Sequence, residues 1–142
     1  MDFPFSFISK SKEDTIAIAN EFADLVENGM IIILDGELGS GKTFFIRQVL
    51  QKFNVTNANS PTFAIVNEYA GDKIFYHFDF YRIIKETELL DIGIKDYFYN
   101  EGSVIFIEWG NLFPNILPRK RIEINISYNE NDLRVFNFIK YE

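Results

Sequence analysis

The sequence predicts an α/β protein, a three-layer sandwich in which a mixed sheet lies between two layers of helices. Three observations lead to this prediction. An apolar, β-branched run at residues 30–34 precedes a glycine-rich turn and a helical pattern, the order found in parallel α/β proteins. A second apolar run at residues 104–107 is typical of a buried parallel strand. Two β-rich segments on either side of Gly71 predict an antiparallel hairpin, which makes the sheet mixed.

The remaining elements follow from hydrophobic periodicity and from capping and turn residues. Ile16, Ala19, Phe22 and Ala23 form a helical stripe, and Asn28 with Gly29 ends it. In chain order the predicted elements are a helix from Ser9 or Ser11 to about Glu27, a strand over 30–34, a helix over 44–53, hairpin strands over 62–69 and 73–79, a helix over 84–90, a strand over 104–107, and two edge strands over 121–126 and 133–139.

Composition restricts the classes of function. The chain has 142 residues, of which 47% are hydrophobic, so we expect a single domain over residues 1–142. With 14 Lys and Arg against 21 Asp and Glu, its formal charge is -7, which disfavours direct binding of an RNA or DNA backbone. Cysteine is absent, which excludes disulfides and thiol chemistry. We find neither a signal peptide nor an apolar stretch of about 20 residues, so we expect a cytoplasmic protein with no membrane contact.

Residues 36–43 read Gly-Glu-Leu-Gly-Ser-Gly-Lys-Thr, the G-x-x-x-x-G-K-[ST] pattern of a phosphate-binding loop, or P-loop. Backbone N–H groups and the positive end of the next helix surround a phosphate in such a loop. A plain glycine turn with a solvated lysine is disfavoured, because the flanking strand and helix supply the required context. The pattern therefore predicts a P-loop NTPase-like fold that binds a nucleoside triphosphate through Gly36, Glu37, Leu38, Gly39, Ser40, Gly41, Lys42, Thr43 and Phe44.

Two carboxylates are candidates to complete a hydrolysis site. Asp79 and Glu108 each follow a predicted strand, and the carboxyl ends of parallel strands meet at one edge of a sheet. Together with the Thr43 hydroxyl they predict a Mg²⁺ site beside the phosphates. Either acid can also be an ordinary solvated strand end, Asp79 more readily, because its strand can lie at the edge of the sheet.

The positions of three further side chains leave their roles open. Thr62 follows Ser60 and Pro61 where P-loop GTPases keep a threonine that senses the γ-phosphate, although a plain loop is the default there. His77 faces the same side of its strand as Asp79 and is either structural or part of a site. Trp109 either covers a nucleotide base or packs as an ordinary aromatic.

Five segments, in this order along the chain, resemble the bacterial TsaE (YjeE) family. They are GELGSGKT at 36–43, SPTF at 60–63, HFDFYR at 77–82, LLDIGIKDYF at 89–98 and IEW at 107–109. The resemblance spans roughly the whole chain. It implies a small Mg²⁺-dependent ATPase required for the N6-threonylcarbamoylation of adenosine 37 in tRNAs that read codons starting with A.

The resemblance also implies roles for residues and partners. Its catalytic residues would be Lys42, Thr62 and Glu108, its metal-associated residues Thr43, Asp79 and Glu108, and its nucleotide neighbour Trp109. The implied partners are the transferase subunit TsaD and its inactive paralogue TsaB, and tRNA is reached only indirectly through their complex. ATP hydrolysis is expected to be slow without these partners and to reset the complex between turnovers.

Other P-loop functions fit the sequence less well or stay open. A small-molecule kinase usually has an arginine-rich lid, and residues 85–102 offer only Lys85 and Lys95. A GTP-dependent switch would carry an Asn-Lys-x-Asp motif, which the sequence lacks. A nucleotide-dependent regulatory module that binds ATP without hydrolysing it stays open.

Overall fold

A computed structural model of the chain describes residues 1–56 and 64–142. The strands in these residues are β1 (Phe5–Ser9), β2 (Ile31–Asp35), β3 (Val66–Ala70), β4 (Ile74–Asp79), β5 (Ser103–Glu108), β6 (Arg121–Tyr128) and β7 (Arg134–Tyr141). The α-helices are α1 (Lys12–Ala23), α2 (Lys42–Lys52), α3 (Glu86–Asp91) and α4 (Ile94–Tyr99). None of the helices in this part of the chain is long and apolar enough to cross a membrane.

All these strands join one sheet, in the order β1-β7-β6-β2-β5-β4-β3. The centre is parallel, because β2 pairs in parallel with β5 on one side and with β6 on the other, and β4 pairs in parallel with β5. The flanks are antiparallel: β3 pairs with β4 at one edge, and β7 and β1 continue the sheet beyond β6. The predicted mixed sheet with a parallel centre is confirmed.

Helices cover both faces of the sheet. The alternation along β2 sends Ile32 and Leu34 to the face covered by α1 and α2, and Ile31 and Ile33 to the face covered by α3 and α4. The fully buried phenylalanine rings among the described residues are Phe22, Phe45, Phe75, Phe106, Phe136 and Phe138 on the first face, and Phe78 and Phe80 on the second. Each such side chain stabilises the fold by about 1.5–3 kcal/mol relative to an exposed one. The predicted three-layer arrangement is confirmed.

The predicted edge position of the two C-terminal strands is wrong. β6 lies between β2 and β7, and the edge is formed by β1, an apolar segment for which no element was predicted. The alternation of buried Ile122, Ile124 and Ile126 with more exposed neighbours shows that one face of β6 is strongly buried. It does not show how many strands flank it, because every strand has the same two-residue period.

Two helix boundaries differ from the prediction, and one helix was not predicted. α1 ends at Ala23. Hydrogen-bonded turns continue the chain from there to Val26, which is buried. α3 begins at Glu86, because the backbone N–H groups of Ile84 and Lys85 donate to the carboxylate of Glu88 and form its cap. The short helix α4, which follows the left-handed Gly93, was not predicted.

The fold brings the ends of β2, β4 and β5 to one edge. The register places Glu108 beside Leu34 on one side and beside Asp79 on the other. The P-loop leaves β2 at this edge and leads into α2. Because β4 is an interior strand parallel to β5, Asp79 lies opposite Glu108. The P-loop and both predicted carboxylates are therefore close together in space.

Candidate nucleotide-binding site

The loop between β2 and α2 depends on glycines for its shape. A Cβ atom on Gly36 would lie 2.5 Å from the Ile126 carbonyl oxygen and 2.7 Å from the Ser40 hydroxyl, so a side chain does not fit there. Gly41 caps α2 with a φ of +110°, in the left-handed region that favours glycine. The first N–H groups of α2 have no partner within the helix, and such groups bind phosphate.

The Lys42 ammonium is folded back on its own loop. Its Nζ donates to the carbonyl oxygens of Gly36 at 2.5 Å and Glu37 at 3.0 Å, and lies 4.3 Å from the centroid of the Trp109 ring. The residue is only 4% exposed. Burial lowers the pKa of Lys42, and nearby carboxylates, Glu108 first among them, offset only part of this effect. The site therefore holds a desolvated cation that an anion would stabilise.

Glu108 is the centre of a buried hydrogen-bond cluster. Thr43 Oγ1 donates to both of its carboxylate oxygens, at 3.0 and 2.9 Å, and His77 Nε2 lies 2.7 Å from Oε2. Burial alone would raise the pKa of Glu108. The hydrogen bonds and charges of His77, Thr43 and Lys42 lower the pKa by more, so the carboxylate is ionised at neutral pH.

Asp79 lies at the same end of the site. Its Oδ1 accepts the N–H of Tyr81 at 3.0 Å and so caps the short 3₁₀ helix Phe80–Arg82. In the residues that the structure describes, no three His, Cys, Asp or Glu side chains cluster closely enough to hold a metal ion by themselves. Mg²⁺ usually takes one or two protein carboxylates and completes its shell with water and phosphate oxygens. Thr43, Asp79 and Glu108 therefore fit a metal–nucleotide complex better than a free ion.

These groups line a cavity of about 550 Å³. Its wall is formed by Lys12, Thr15, Leu38, Gly39, Gly41, Lys42, Thr43, Phe44, Asp79, Tyr81, Glu108, Trp109 and Arg134. The volume lies within the range of about 300–1,000 Å³ that is usual for small-molecule sites. A phosphate loop, a desolvated lysine and two carboxylates in one cavity of this size fit a nucleoside triphosphate with its metal.

Comparison with known proteins identifies the family. A sequence model described as "Threonylcarbamoyl adenosine biosynthesis protein TsaE" matches residues 9–136. The chain belongs to the TsaE family. The tRNA threonylcarbamoyladenosine biosynthesis protein TsaE of Rickettsia prowazekii (strain Madrid E) is 35% identical over 133 residues, which cover 92% of this chain and 91% of that protein.

A second relative and a solved structure agree with this assignment. The protein of the same name from Bacillus subtilis (strain 168) is 38% identical over 128 residues, 89% of this chain and 79% of the relative. The structure described as "Crystal structure of Bacillus subtilus YdiB" superposes with a TM-score of 0.83 at 30% identity, covering 100% of this chain and 88% of that one.

The structure brings most of the predicted TsaE site residues together. Lys42, Thr43, Phe44, Asp79, Glu108 and Trp109 all line the cavity. The exposed residues Glu37, Leu38 and Gly39 form the rim of the loop. Thr62 lies outside the described residues. His77, whose role the sequence left open, is placed against Glu108.

Four lining residues had no predicted place in the site: Lys12, Thr15, Tyr81 and Arg134. Tyr81 stood in a segment that carries the family resemblance, and its ring packs 5.0 Å from that of Trp109. Lys12 and Thr15 belong to α1, and Arg134 begins β7. No local pattern marks these last three, since only the folded sheet brings them to the P-loop.

Glu108 makes the stability of the fold depend on pH. Its pKa in the folded chain is below the ordinary value of 4.5, so the ionised carboxylate stabilises the folded state. This contribution is fully present above the ordinary pKa and is lost as the pH falls through the folded pKa. We predict that Glu108→Gln lowers the free energy of unfolding at neutral pH, and that its difference from the wild type shrinks below about pH 4.5. Urea unfolding over this pH range measures the difference.

Glu101→Gln is the matched control, because Glu101 is exposed. It removes the same charge and should leave the unfolding free energy nearly unchanged at every pH. A Glu108→Gln deficit that stays constant down to acid pH would contradict the ionised, hydrogen-bonded state of Glu108.

Proposed function

We propose that the chain is a Mg²⁺-dependent ATPase subunit acting in tRNA threonylcarbamoyladenosine biosynthesis. The observation that carries the proposal is the meeting of Lys42, Thr43 and Glu108 in one cavity at the end of the parallel strands. Membership of the TsaE family supports the pathway. The cavity supports the reaction, because it combines phosphate-binding groups with an ionised carboxylate.

In the proposed binding step, Lys42 exchanges the carbonyl oxygens of Gly36 and Glu37 for phosphate oxygens. Hydrogen bonds between a cation and an anion are shorter and roughly twice as strong as neutral ones. The exchange also reverses the effect of burial on Lys42, since a nearby anion favours its charged form. Phosphate binding therefore gains strength from a lysine that is poorly solvated in the free chain.

Thr43, Asp79 and Glu108 would hold Mg²⁺. Bound there, the ion would offset the negative charge of the phosphates. Thr43 Oγ1 has one proton, which it now shares between the two oxygens of Glu108. Its oxygen lone pairs stay free in this contact, so the oxygen could ligate the metal while the O–H donates to Glu108, and metal binding would be coupled to the position of Glu108.

Glu108 has the properties of a residue that orients the attacking water. A carboxylate that is ionised at neutral pH accepts a hydrogen bond from water, but with a lowered pKa it is a weak base. Orientation of the water is therefore its stronger contribution. His77 keeps one oxygen of Glu108 in place at 2.7 Å. Thr62 keeps its predicted role near the γ-phosphate as part of this proposal.

We propose TsaD and TsaB as the partners of the chain. The names of the relatives assign them to tRNA threonylcarbamoyladenosine biosynthesis, and the net charge of -7 offers no general attraction to an RNA backbone. Contact with tRNA would then pass through the partner proteins. Partner contacts would also complete the catalytic site, which would account for the slow hydrolysis expected of the chain alone.

Lys42→Ala tests the phosphate loop. The change deletes the buried cation, and each lost hydrogen bond between charged groups costs about 1.5–3 kcal/mol. We predict that ATP affinity, measured by calorimetry, falls by roughly 100-fold or more. Lys120→Ala removes an exposed charge away from the cavity and should bind ATP like the wild type. Unchanged affinity in Lys42→Ala would refute the P-loop site.

Glu108→Gln tests hydrolysis. ATP turnover of the wild type should rise when TsaD and TsaB are added, and the variant should lose about 100-fold or more of this stimulated rate while still binding ATP. Glu101→Gln should behave like the wild type. Full stimulated turnover in Glu108→Gln would make Glu108 merely structural, and a wild type that the partners neither bind nor stimulate would contradict the proposed complex.

A further inference from the structure

We infer that Arg134 is a positioning residue of the phosphate loop, whose guanidinium holds the Ser40 carbonyl and so orients the Ser40–Gly41 peptide toward a bound triphosphate. The inference rests on the proposed ATP site and extends it to the C-terminal hairpin, β6 and β7. No motif of the sequence pointed to this residue.

Arg134 touches the loop directly. It is the first residue of β7, it is half-buried, and it lines the cavity. Its Nε donates to the Ser40 carbonyl oxygen at 3.0 Å, across 94 positions of sequence. The guanidinium group also lies beside Gly41, since a Cβ atom built there would be 3.6 Å from Nε.

The contact fixes a peptide that little else restrains. In a trans peptide the carbonyl and the following N–H point in opposite directions. Holding the Ser40 oxygen on Arg134 therefore turns the Gly41 N–H away from the guanidinium. Gly41, at a φ of +110°, has no side chain to limit the rotation of this peptide.

Ser40 itself is tethered on its other side. Its N–H donates to the Glu37 carbonyl at 3.0 Å. Its hydroxyl is fully buried and has no hydrogen-bond partner among the residues that the structure describes. Within residues 1–56 and 64–142, the guanidinium of Arg134 is thus the donor that holds the carbonyl side of Ser40.

The surroundings of Arg134 favour arginine over lysine. Its cross-strand partner on β6 is Tyr128, whose ring centroid lies 5.8 Å from the guanidinium carbon. A planar guanidinium donates from a fixed direction while one face packs on a ring, which an ammonium group cannot do.

The cavity wall is locally cationic, although the chain as a whole is acidic. Its three cations, Lys12, Lys42 and Arg134, outnumber its two carboxylates.

A direct contact between Arg134 and the nucleoside is the competing explanation. The two differ in which part of ATP they affect. If Arg134 orients the loop, it acts on the phosphates, and its removal should weaken the binding of inorganic triphosphate and of ATP alike. If Arg134 contacts the nucleoside, its removal should weaken the binding of ATP alone.

The test measures both ligands, each with Mg²⁺, by calorimetry on the full chain. We expect Arg134→Ala to lower the affinities for ATP and for inorganic triphosphate by the same factor, about tenfold. This is the usual effect of losing one charge-assisted hydrogen bond. Arg134→Lys, which keeps the charge and a donor, should recover part of the loss for both ligands. Arg119→Ala removes an exposed arginine outside the cavity wall and should change neither affinity.

A loss confined to ATP, or no loss in either ligand, would overturn the inference while leaving the proposed ATP site intact. A wild type that binds neither ligand would overturn both. Thermal unfolding without ligand shows whether Arg134→Ala is folded. If it is not, Arg134→Lys carries the same comparison, with equal losses for the two ligands expected and a loss for ATP alone contradicting the inference.

Discussion

The hydrogen bonds that Glu108 accepts from Thr43 and His77 join the three elements that form the site. Glu108 ends β5, Thr43 lies in the first turn of α2, and His77 lies on β4. A buried carboxylate destabilises a fold unless hydrogen-bond donors surround it. The packing of β4, β5 and α2 around Glu108 therefore depends on these hydrogen bonds. The same bonds keep Glu108 ionised. The group that stabilises the free site is therefore also the group best suited to orient water in the proposed reaction.

The C-terminal hairpin supports the phosphate loop from the other side. The Ile126 carbonyl of β6 approaches Gly36 so closely that no side chain fits, and Arg134 of β7 reaches Ser40. The loop is thus held between its own strand and helix, the Glu108 cluster, and the hairpin. Residues from both ends of the chain, Lys12 and Arg134 among them, line the same cavity as the loop, although its motif spans only residues 36–43.

The sequence predicted the parts of this site that depend on local order. The P-loop pattern, its strand and its helix are contiguous, and Asp79 and Glu108 follow from the rule that parallel strands end at one edge. Arg134 and Lys12 could not be predicted, because their distance from the loop depends on how β1, β6 and β7 join the sheet. Alternation along β6 reveals its buried face and leaves its neighbours unspecified. His77 illustrates the same limit, since only the pairing of β4 with β5 brings it to Glu108.

The most direct test concerns the hydroxyl of Thr43, which donates to Glu108 in the free chain and whose oxygen we propose also ligates Mg²⁺ in the metal–nucleotide complex. Calorimetry can measure how much Mg²⁺ strengthens ATP binding in the wild type and in Thr43→Val, which keeps the shape and removes the hydroxyl. We predict a gain of about tenfold or more in the wild type and little or none in the variant. An equal gain in both proteins would contradict the proposed role of Thr43 and, with it, the coupling between Glu108 and the metal.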